Sequence, residues 1–559
     1  MLSNREIGRM FGLYAELLLL HNVDERLSAL LSGASYRIRN MNEEVLQLNN
    51  TELSELFRPE IANVINDLKK DETLEALDEL VELTPQGLFE MMRIRGLGGK
   101  KLSLLWHRAK VDSIDALLDA CKNNTVAKIP GFGIKTQENI IKAIEAYRSN
   151  EDMFHYATVA DYADMLVQKL QQFFKTKLIS LCGEIRRQST TVSCIEIITV
   201  ITSKKLKEKA LRKLLVIQSS ETKSTTGHTI DEIPFIIYHT TEECFYYDLF
   251  VATGNEKHVN KVLEKLHSKA HYNSEEEIYK KAGLRYILPE MREDIAEWSF
   301  TKKTNSLISS EDIKGVVHNH TNWSDGVDTL TNFVTACKKL QYEYVVISDH
   351  SKNAHYAGGL KEDKVLKQFV EIDKLNEKLR PFRIFKSIEC DILVSGELDY
   401  GNDILQLFDL VIISVHQLLK MNEEKATARL IKAIENPYTT ILGHMTGRQL
   451  LIRPGYPVNF TKVIDACAAN NVIIEINANP YRLDMDWSHI PYALDKGVMI
   501  SVNPDAHSIG EIDNIRWGVS AARKGGLTKD MTWNAMSLKD IEKWLKKKRN
   551  TSPEESRNL

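Results

Sequence analysis

Cysteine is scarce and scattered. The 559 residues hold seven thiols, Cys121, Cys182, Cys194, Cys244, Cys337, Cys390 and Cys467, an odd number with no CxxC pair. This excludes a disulfide framework and reads as reduced thiols in a cytoplasmic protein. Long apolar runs are also missing. Nothing approaches the ~20 residues that span a bilayer, so no membrane is expected as a partner. The opening MLSNREIGRMFGLYAELLLLHN sets Arg5, Arg9 and acidic residues around a short apolar run, with no small-residue cleavage site. It reads as an amphipathic helix rather than a signal peptide. Charge of either sign is not in excess: the formal net charge is −4, which excludes a protein basic over its whole surface but leaves local basic patches able to hold phosphates.

What is present suits a globular protein with real cores, since 43% of residues are hydrophobic and 27% charged. At roughly 100–200 residues per domain, the length predicts three or four domains. Residues 1–150 carry helix-period patterns broken by turns such as SGAS and LTPQG, with almost no β-branched runs. From about 155 to 300 the runs LISLCGEI, CIEIITVIT, IPFIIYH and CFYYDLFVAT read as strands between Lys-rich helices, an α+β region. From 315 onward, seven short β-branched runs alternate with amphipathic helices, which predicts parallel βαβ units closed into a barrel. The basic cluster 546–549 lies where periodicity fades after Leu545 and reads as a solvated helix end with a frayed tail.

Nearly every strand of that barrel ends in a metal-capable side chain: His318 and His320, then Asp349-His350, Glu389, His416, His444, and finally Asp505 and His507. In GVVHNHTNWSDG, two histidines one residue apart on a strand would share a face, with Asp325 following in a small-residue turn. C-terminal strand ends of a (β/α) barrel converge on one face, so these groups are expected in one pocket. Mixed imidazole and carboxylate donors suit zinc, manganese or iron. A multi-metal site of that kind performs hydrolysis. Lys352 and Arg482 lie nearby in sequence as candidate phosphate-binding cations.

The motifs HNHTNWSDG, SDH, IECDI, SVH, GH and NPDAH resemble the successive motifs of the PHP (polymerase and histidinol phosphatase) domain, a distorted seven-stranded barrel binding up to three metals. The resemblance implies one metal on His318, His320, Glu389 and Asp505. Glu389 would bridge to a second on His416 and His444, and Asp325, His350 and His507 would hold a third. It makes Glu389, Asp505 and His320 the expected catalytic residues. Many relatives carry Asp-Leu before the first His, where this chain has Val316-Val317.

The segment 91–110, MMRIRGLGGKKLSLLWHRAK, has no acidic residue. Its Gly96, Gly98 and Gly99 allow a tight hairpin with N–H groups at the next helix's N-terminus, beside Lys100 and Lys101. IPGFGIKTQENI repeats the pattern with Gly131, Gly133 and Lys135. Both resemble helix-hairpin-helix elements, which grip DNA by its backbone. Two hairpins, an α+β domain and a PHP barrel together resemble bacterial and archaeal family X DNA polymerases along essentially the whole chain. That resemblance implies a multidomain fold. Residues 1–85 would be a lyase-like helical domain and 86–150 the hairpin region; 151–310 a nucleotidyltransferase-like palm, and 311–559 a distorted (β/α)7 PHP barrel.

The palm motif of that family, roughly GSxRRxxxTVGDID with a third aspartate on a later strand, holds two Mg²⁺. Here GEIRRQSTTVSCIEI keeps Gly183, Arg186 and Arg187 for the nucleotide side. It puts Glu184 after the glycine and replaces the paired aspartates by Cys194 and Glu196, with Asp248 of YYDLF as the surviving third carboxylate. TGNEKH, with Gly254 and His258, resembles the family's nucleotide-side TGSxxH. A thiol is a poor Mg²⁺ ligand, so Mg²⁺ in the palm is disfavoured and templated addition is expected to be absent or very weak. FRPEIANVINDL (57–68) lacks the glycines of the family's first hairpin, which leaves Schiff-base lyase chemistry poorly supported. The expected activity is a metal-dependent DNA phosphodiesterase acting in repair as a 3'-5' exonuclease on gapped or single-stranded DNA or on 3' ends; the alternatives are a gap-filling repair polymerase with a PHP 3'-5' exonuclease and a non-catalytic DNA-end-binding scaffold. Nothing points to a protein partner, and a monomer is expected.

Overall fold

The computed structural model describes residues 4–39, 41, 43–71, 73–94, 96–150, 153–266, 271–300, 302 and 306–550. It divides into two compact units, 1–152 and 153–559, so the four regions expected from sequence fall within two bodies.

The first unit is helical throughout its described residues. Its opening helix, Asn4–Leu20, buries Ile7, Phe11, Tyr14 and Leu18, the three-and-four spacing of one helical face. That face joins a core with Leu31, Ile65, Leu102 and Leu117. Two helix pairs carry the glycine motifs: Gln86–Met92 with Gly99–Ala109, and Ile114–Lys122 with Ile134–Asn150. Gly96 (φ 86°) and Gly131 (φ 91°) turn the chain in the left-handed region that side chains avoid.

The second unit begins with a five-stranded mixed sheet in the order Ile179–Leu181, Ile195–Thr199, Pro234–His239, Ser224–Thr229, Leu215–Ser220. The pair Ile195–Thr199 and Pro234–His239 is parallel and the other neighbours are antiparallel. Expected as a strand, CFYYDLFVAT instead forms the helix Phe245–Thr253. Its buried Phe245, Leu249, Phe250 and Thr253 follow a helical period that the aromatic richness of the run conceals.

All seven β-branched runs after 315 contain parallel strands. Gly315–Val316, Tyr344–Ile347 and Arg383–Lys386 make one sheet; Glu389–Asp391, Val411–Ser414, Thr439–Leu442, Ile473–Asn477 and Ile500–Asn503 make the other. Parallel bridges His350–Glu389 and Asn319–Ala506 link the two sheets, closing the strands into a ring. Alternate strand residues form two apolar layers: Val345, Ile384, Ile413, Leu442, Ile474 and Val502 pack outward with the surrounding helices, while Val346, Phe385, Ile412, Ile441 and Ile473 pack together on the other face, the one that Glu475 shares with Ile473. The mixed sheet and the ring are tied together by the buried Lys524, which donates to the Arg187 carbonyl and pairs with Glu293, and by Arg523 with Glu290. At the C-terminus the helix Leu538–Asn550 runs past the expected fraying point. Lys548 and Arg549 hold it by donating to the carbonyls of Asn470, Asn471 and Phe408. Residues 551–559, the rest of that tail, lie outside the described residues.

Candidate metal centre

The ring brings the nine sequence-predicted donors together. Glu389 opens the strand Glu389–Asp391, and its Oε1 lies 2.9 Å from His444 Nε2, 3.2 Å from His416 Nε2 and 3.2 Å from His318 Nε2. Its Oε2 lies 2.9 Å from His350 Nδ1 and 3.6 Å from His320 Nε2. Asp505 approaches His320 at 3.1 Å and His318 at 3.6 Å. Asp325 lies 3.5 Å from both His350 and His507 and 3.8 Å from His320. Four groups of donors converge closely enough to share an ion: His320, Asp325, His350 and His507; His318, Glu389 and His444; His318, His320 and Asp505; His350, Glu389 and His416.

The route differs from a shared strand face. The first strand ends at Val316, and His318 sits at φ 63°, so the two histidines come together through a kinked strand end. Asp505 is kinked likewise, at φ 51°. Such backbone is costly for residues with a Cβ, and it clusters at functional sites. Asp349, next to His350, stays out of the cluster because its carboxylate accepts from Thr321, Ser324 and Gln368.

Burial and charge show what the pocket lacks. His318 Nε2, both ring nitrogens of His320, His350 Nδ1 and both oxygens of Glu389 are buried without a hydrogen-bond partner. Buried polar atoms are normally satisfied, and this many convergent donors with none fits divalent cations. Burial opposes charge on His318, but Glu475, Glu389 and Asp505 hold its pKa well above the ordinary imidazole value. His350 is likewise lifted against burial to about 10 by Glu389 and Asp325, and His507 to about 9 by Asp325 and Asp505. Burial, with His507 and His350 adding repulsion, pushes His320 down to about 3. Burial works to raise Glu389, yet His416, His318 and His350 hold it well below the carboxylate range. The cluster has an ionised carboxylate at its centre, with imidazoles around it as donors.

Two buried carboxylates that sequence reasoning missed orient these rings. Glu475 is fully buried, lies 2.6 Å from His318 Nδ1, and accepts from Asn503, Asn477 and the His444 N–H. Asp391 lies 2.6 Å from His416 Nδ1 and accepts from Asn353. Each leaves the ring's Nε2 facing Glu389, the outer arrangement that fixes a ligand's orientation and basicity. Alternation within IECDI and within IIEIN (473–477) was the available signal, since Asp391 and Glu475 are acidic residues within apolar strands. Of the two candidate cations, Arg482 reaches the cluster, with Nε 3.9 Å from Asp505. Lys352 does not serve it: its Nζ pairs with Glu362 at 2.6 Å and lies over the Tyr400 ring.

The residues expected from the sequence to form a palm site present the opposite picture. Glu196 Oε2 accepts the Glu184 N–H at 3.0 Å and its Oε1 accepts the Tyr238 hydroxyl at 3.3 Å. The carboxyl fills the hollow over Gly183 (φ 59°), where an added Cβ would collide with it. Burial and the Glu196 charge push the Cys194 thiol up to about 11, so it is a neutral thiol. Asp248 is not on a strand. It sits in the helix Phe245–Thr253 and accepts from Thr240, while the residue registered beside Glu196 on the parallel neighbour is Ile236. Strand register is invisible in the sequence alone. On the nucleotide side, Arg186 is bidentate to Glu275 and also bonds Thr253, and Arg187 is taken by Glu293 and the Thr253 carbonyl. Fully buried His258 lies between Glu297 and Tyr279, and Gly254 packs against Val259.

In the helical unit the two hairpins differ. The Gly99 N–H is capped by Glu16 Oε2 at 2.6 Å, a Cβ there would strike the Glu16 carbonyl, and Gly98 leads into the same turn. Lys100 pairs with Glu25, and Lys101 donates to the Gly96 carbonyl. Around Gly131 and Gly133 the space is open, and among the described residues Lys135 has no recorded ion pair.

The chain is 33% identical over 500 residues to the DNA polymerase/3'-5' exonuclease PolX of Bacillus subtilis (strain 168), covering 86% of this chain and 87% of that protein. Its C-terminal region is 28% identical over 243 residues to a probable phosphatase of Thermoanaerobacter sp. (strain X514), covering 42% of this chain and 94% of that protein. A probable phosphatase of Shewanella pealeana is 28% identical over 200 residues, covering 34% of this chain and 76% of that protein. No family model matches the chain.

Proposed function

The chain belongs to the family of the DNA polymerase/3'-5' exonuclease PolX, and we propose that it serves DNA repair as a metal-dependent phosphodiesterase that trims DNA 3' ends, with templated nucleotide addition lost or weak. The observation that carries this reading is the contrast between two carboxylates: buried Glu389 is surrounded by donors with no partner, while half-buried Glu196 accepts a hydrogen bond on each oxygen. The region 311–559 is read as a PHP barrel, 151–310 as a degenerate palm, and 86–150 as the hairpins that hold the DNA backbone.

In the barrel, His318, His320, Asp325, His350, Glu389, His416, His444, Asp505 and His507 are the residues that would hold zinc, manganese or iron. Such ions supply an activated water and charge stabilisation for phosphodiester hydrolysis. Glu475 and Asp391 keep His318 and His416 turned toward Glu389. Arg482 offers a planar guanidinium to a phosphate oxygen beside Asp505. In the palm, no carboxylate stands on the strand beside Glu196, the arginines of the nucleotide side are neutralised internally, and the turn at Gly183 is filled. A triphosphate would have to displace each of these contacts.

A paired assay on one labelled gapped DNA tests both halves. With Mn²⁺ the protein is expected to digest from the 3' end, and His320→Ala to abolish digestion. With Mg²⁺ and nucleotides no extension is expected. Undiminished digestion by His320→Ala would overturn the barrel assignment, and primer extension would overturn the palm assignment.

A further inference from the structure

The mouth of the metal cluster is walled unevenly. On the His350 side, the loop after the strand Tyr344–Ile347 displays Tyr356, 67% exposed, in the single turn His355–Ala357. Its ring centroid lies 6.3 Å from that of His350. The loop is not loose. The Asn353 N–H donates to Asp399, its side-chain amide donates to Asp391, and its carbonyl accepts from Gln417. Asp391 is the carboxylate that orients His416, so one hydrogen-bonded set fixes both a cluster histidine and the loop that shows the tyrosine. Leu418, 65% exposed, follows on the adjoining loop. On the Asp505 side stands Arg482, its Nε 3.9 Å from the Asp505 carboxylate.

An aromatic ring held bare on a rigid rim beside polar donors offers a π-face on which a planar base can stack. A flat apolar face next to a cation and a cluster of metal donors matches a molecule with a flat base, a phosphate and a scissile ester. We propose that Tyr356 is a stacking platform for the base of an unpaired 3'-terminal nucleotide, with Arg482 taking the adjoining phosphate. This makes an unstacked DNA 3' end, rather than a small phosphomonoester, the preferred substrate class. The proposal rests on the phosphodiesterase reading above. Every base offers a π-face, so the preference is tolerant of sequence but needs the base out of its duplex stack.

The test uses the full chain and two single-stranded DNAs that differ only at the 3' end, one with a normal nucleotide and one with a tetrahydrofuran residue that has no base. With Mn²⁺, Tyr356→Ala is expected to lower kcat/KM about tenfold on the normal end and to leave the baseless end at the wild-type rate, while Tyr356→Trp retains activity on both. In a metal-free arm, a strand with 2-aminopurine at its 3' terminus is expected to lose fluorescence on binding to wild type and less on binding to Tyr356→Ala. Equal losses on both ends would overturn the proposal by marking Tyr356 as a support of the metal cluster. So would unchanged quenching in Tyr356→Ala. If wild type digests neither strand, the phosphodiesterase reading fails, and the fluorescence arm still decides the role of Tyr356.

Discussion

Glu389 and Glu196 are both strand carboxylates of one compact unit, the first buried in a ring of parallel strands and the second half-buried in a mixed sheet, and their surroundings differ in how their polar atoms are satisfied. Around Glu389 the neighbouring ring nitrogens are close but unbonded, and orienting groups behind them hold them that way. Around Glu196 a backbone N–H and a tyrosine hydroxyl have been taken up as partners. A pocket whose polar atoms are satisfied only by something outside the chain is one built for a ligand. A pocket whose polar atoms satisfy one another has been closed to it. The same distinction separates the hairpins, since Glu16 caps the first and the second stands open.

The sharpest way to break the contrast is to weaken the support behind the Glu389 cluster without touching a donor. Glu475→Gln keeps the size of the side chain but removes the charge facing His318 Nδ1. Loss of such an outer partner typically costs about 10–100-fold in metal affinity or activity. Titrating the metal-stripped protein with Mn²⁺ or Zn²⁺ measures this. Wild-type affinity in the variant would mean that His318 needs no negative charge behind it, since an amide oxygen can still accept from its Nδ1–H.

How much of this was legible in the sequence follows from what each feature depends on. Eight of the nine donors were readable because each follows or lies within a β-branched run, and a ring of parallel strands carries such positions to one end; Asp325, in the turn after the first run, was readable only from the motif. The kink at His318, with its positive φ, was not readable, because alternation assumes that the strand continues. Neither was the helical placement of Asp248, which was expected on a strand. Asp248 is the nearest acidic residue in a run that looks strand-like, and only pairing Glu196 with Ile236 reveals that the strand position is apolar. Glu475 and Asp391 escaped because a carboxylate inside an apolar strand has no motif of its own. Tyr356 escaped because exposure on a rigid loop is a property of the fold.

A smaller effect is expected at the hairpins. If DNA is held where the backbone N–H groups are free, Lys135→Glu should weaken binding of a short duplex several-fold and flatten its salt dependence by about one phosphate contact. Lys100→Glu should change little, since Lys100 is already committed to Glu25. Fluorescence anisotropy across a salt series reads both. Equal losses from the two variants would show that the Glu16 cap opens when DNA binds.

The smallest effect concerns stability at the closed palm. Burial, joined by repulsion from Glu184, raises the pKa of Glu196 above its ordinary value. The folded state therefore favours the protonated carboxyl. Its contribution is fully present below the unfolded pKa of about 4.3 and is lost as pH rises through the folded pKa. At neutral pH the half-buried charge is a liability that Glu196→Gln removes, while the amide oxygen can still accept the Glu184 N–H. The variant should melt slightly higher than wild type at pH 7 and together with it near pH 4. Thermal melts at the two pH values check the sign. A lower melting temperature at pH 7 would mean that the turn at Gly183 prefers an anion after all, and that the palm keeps the affinity for phosphate which its other contacts have closed off.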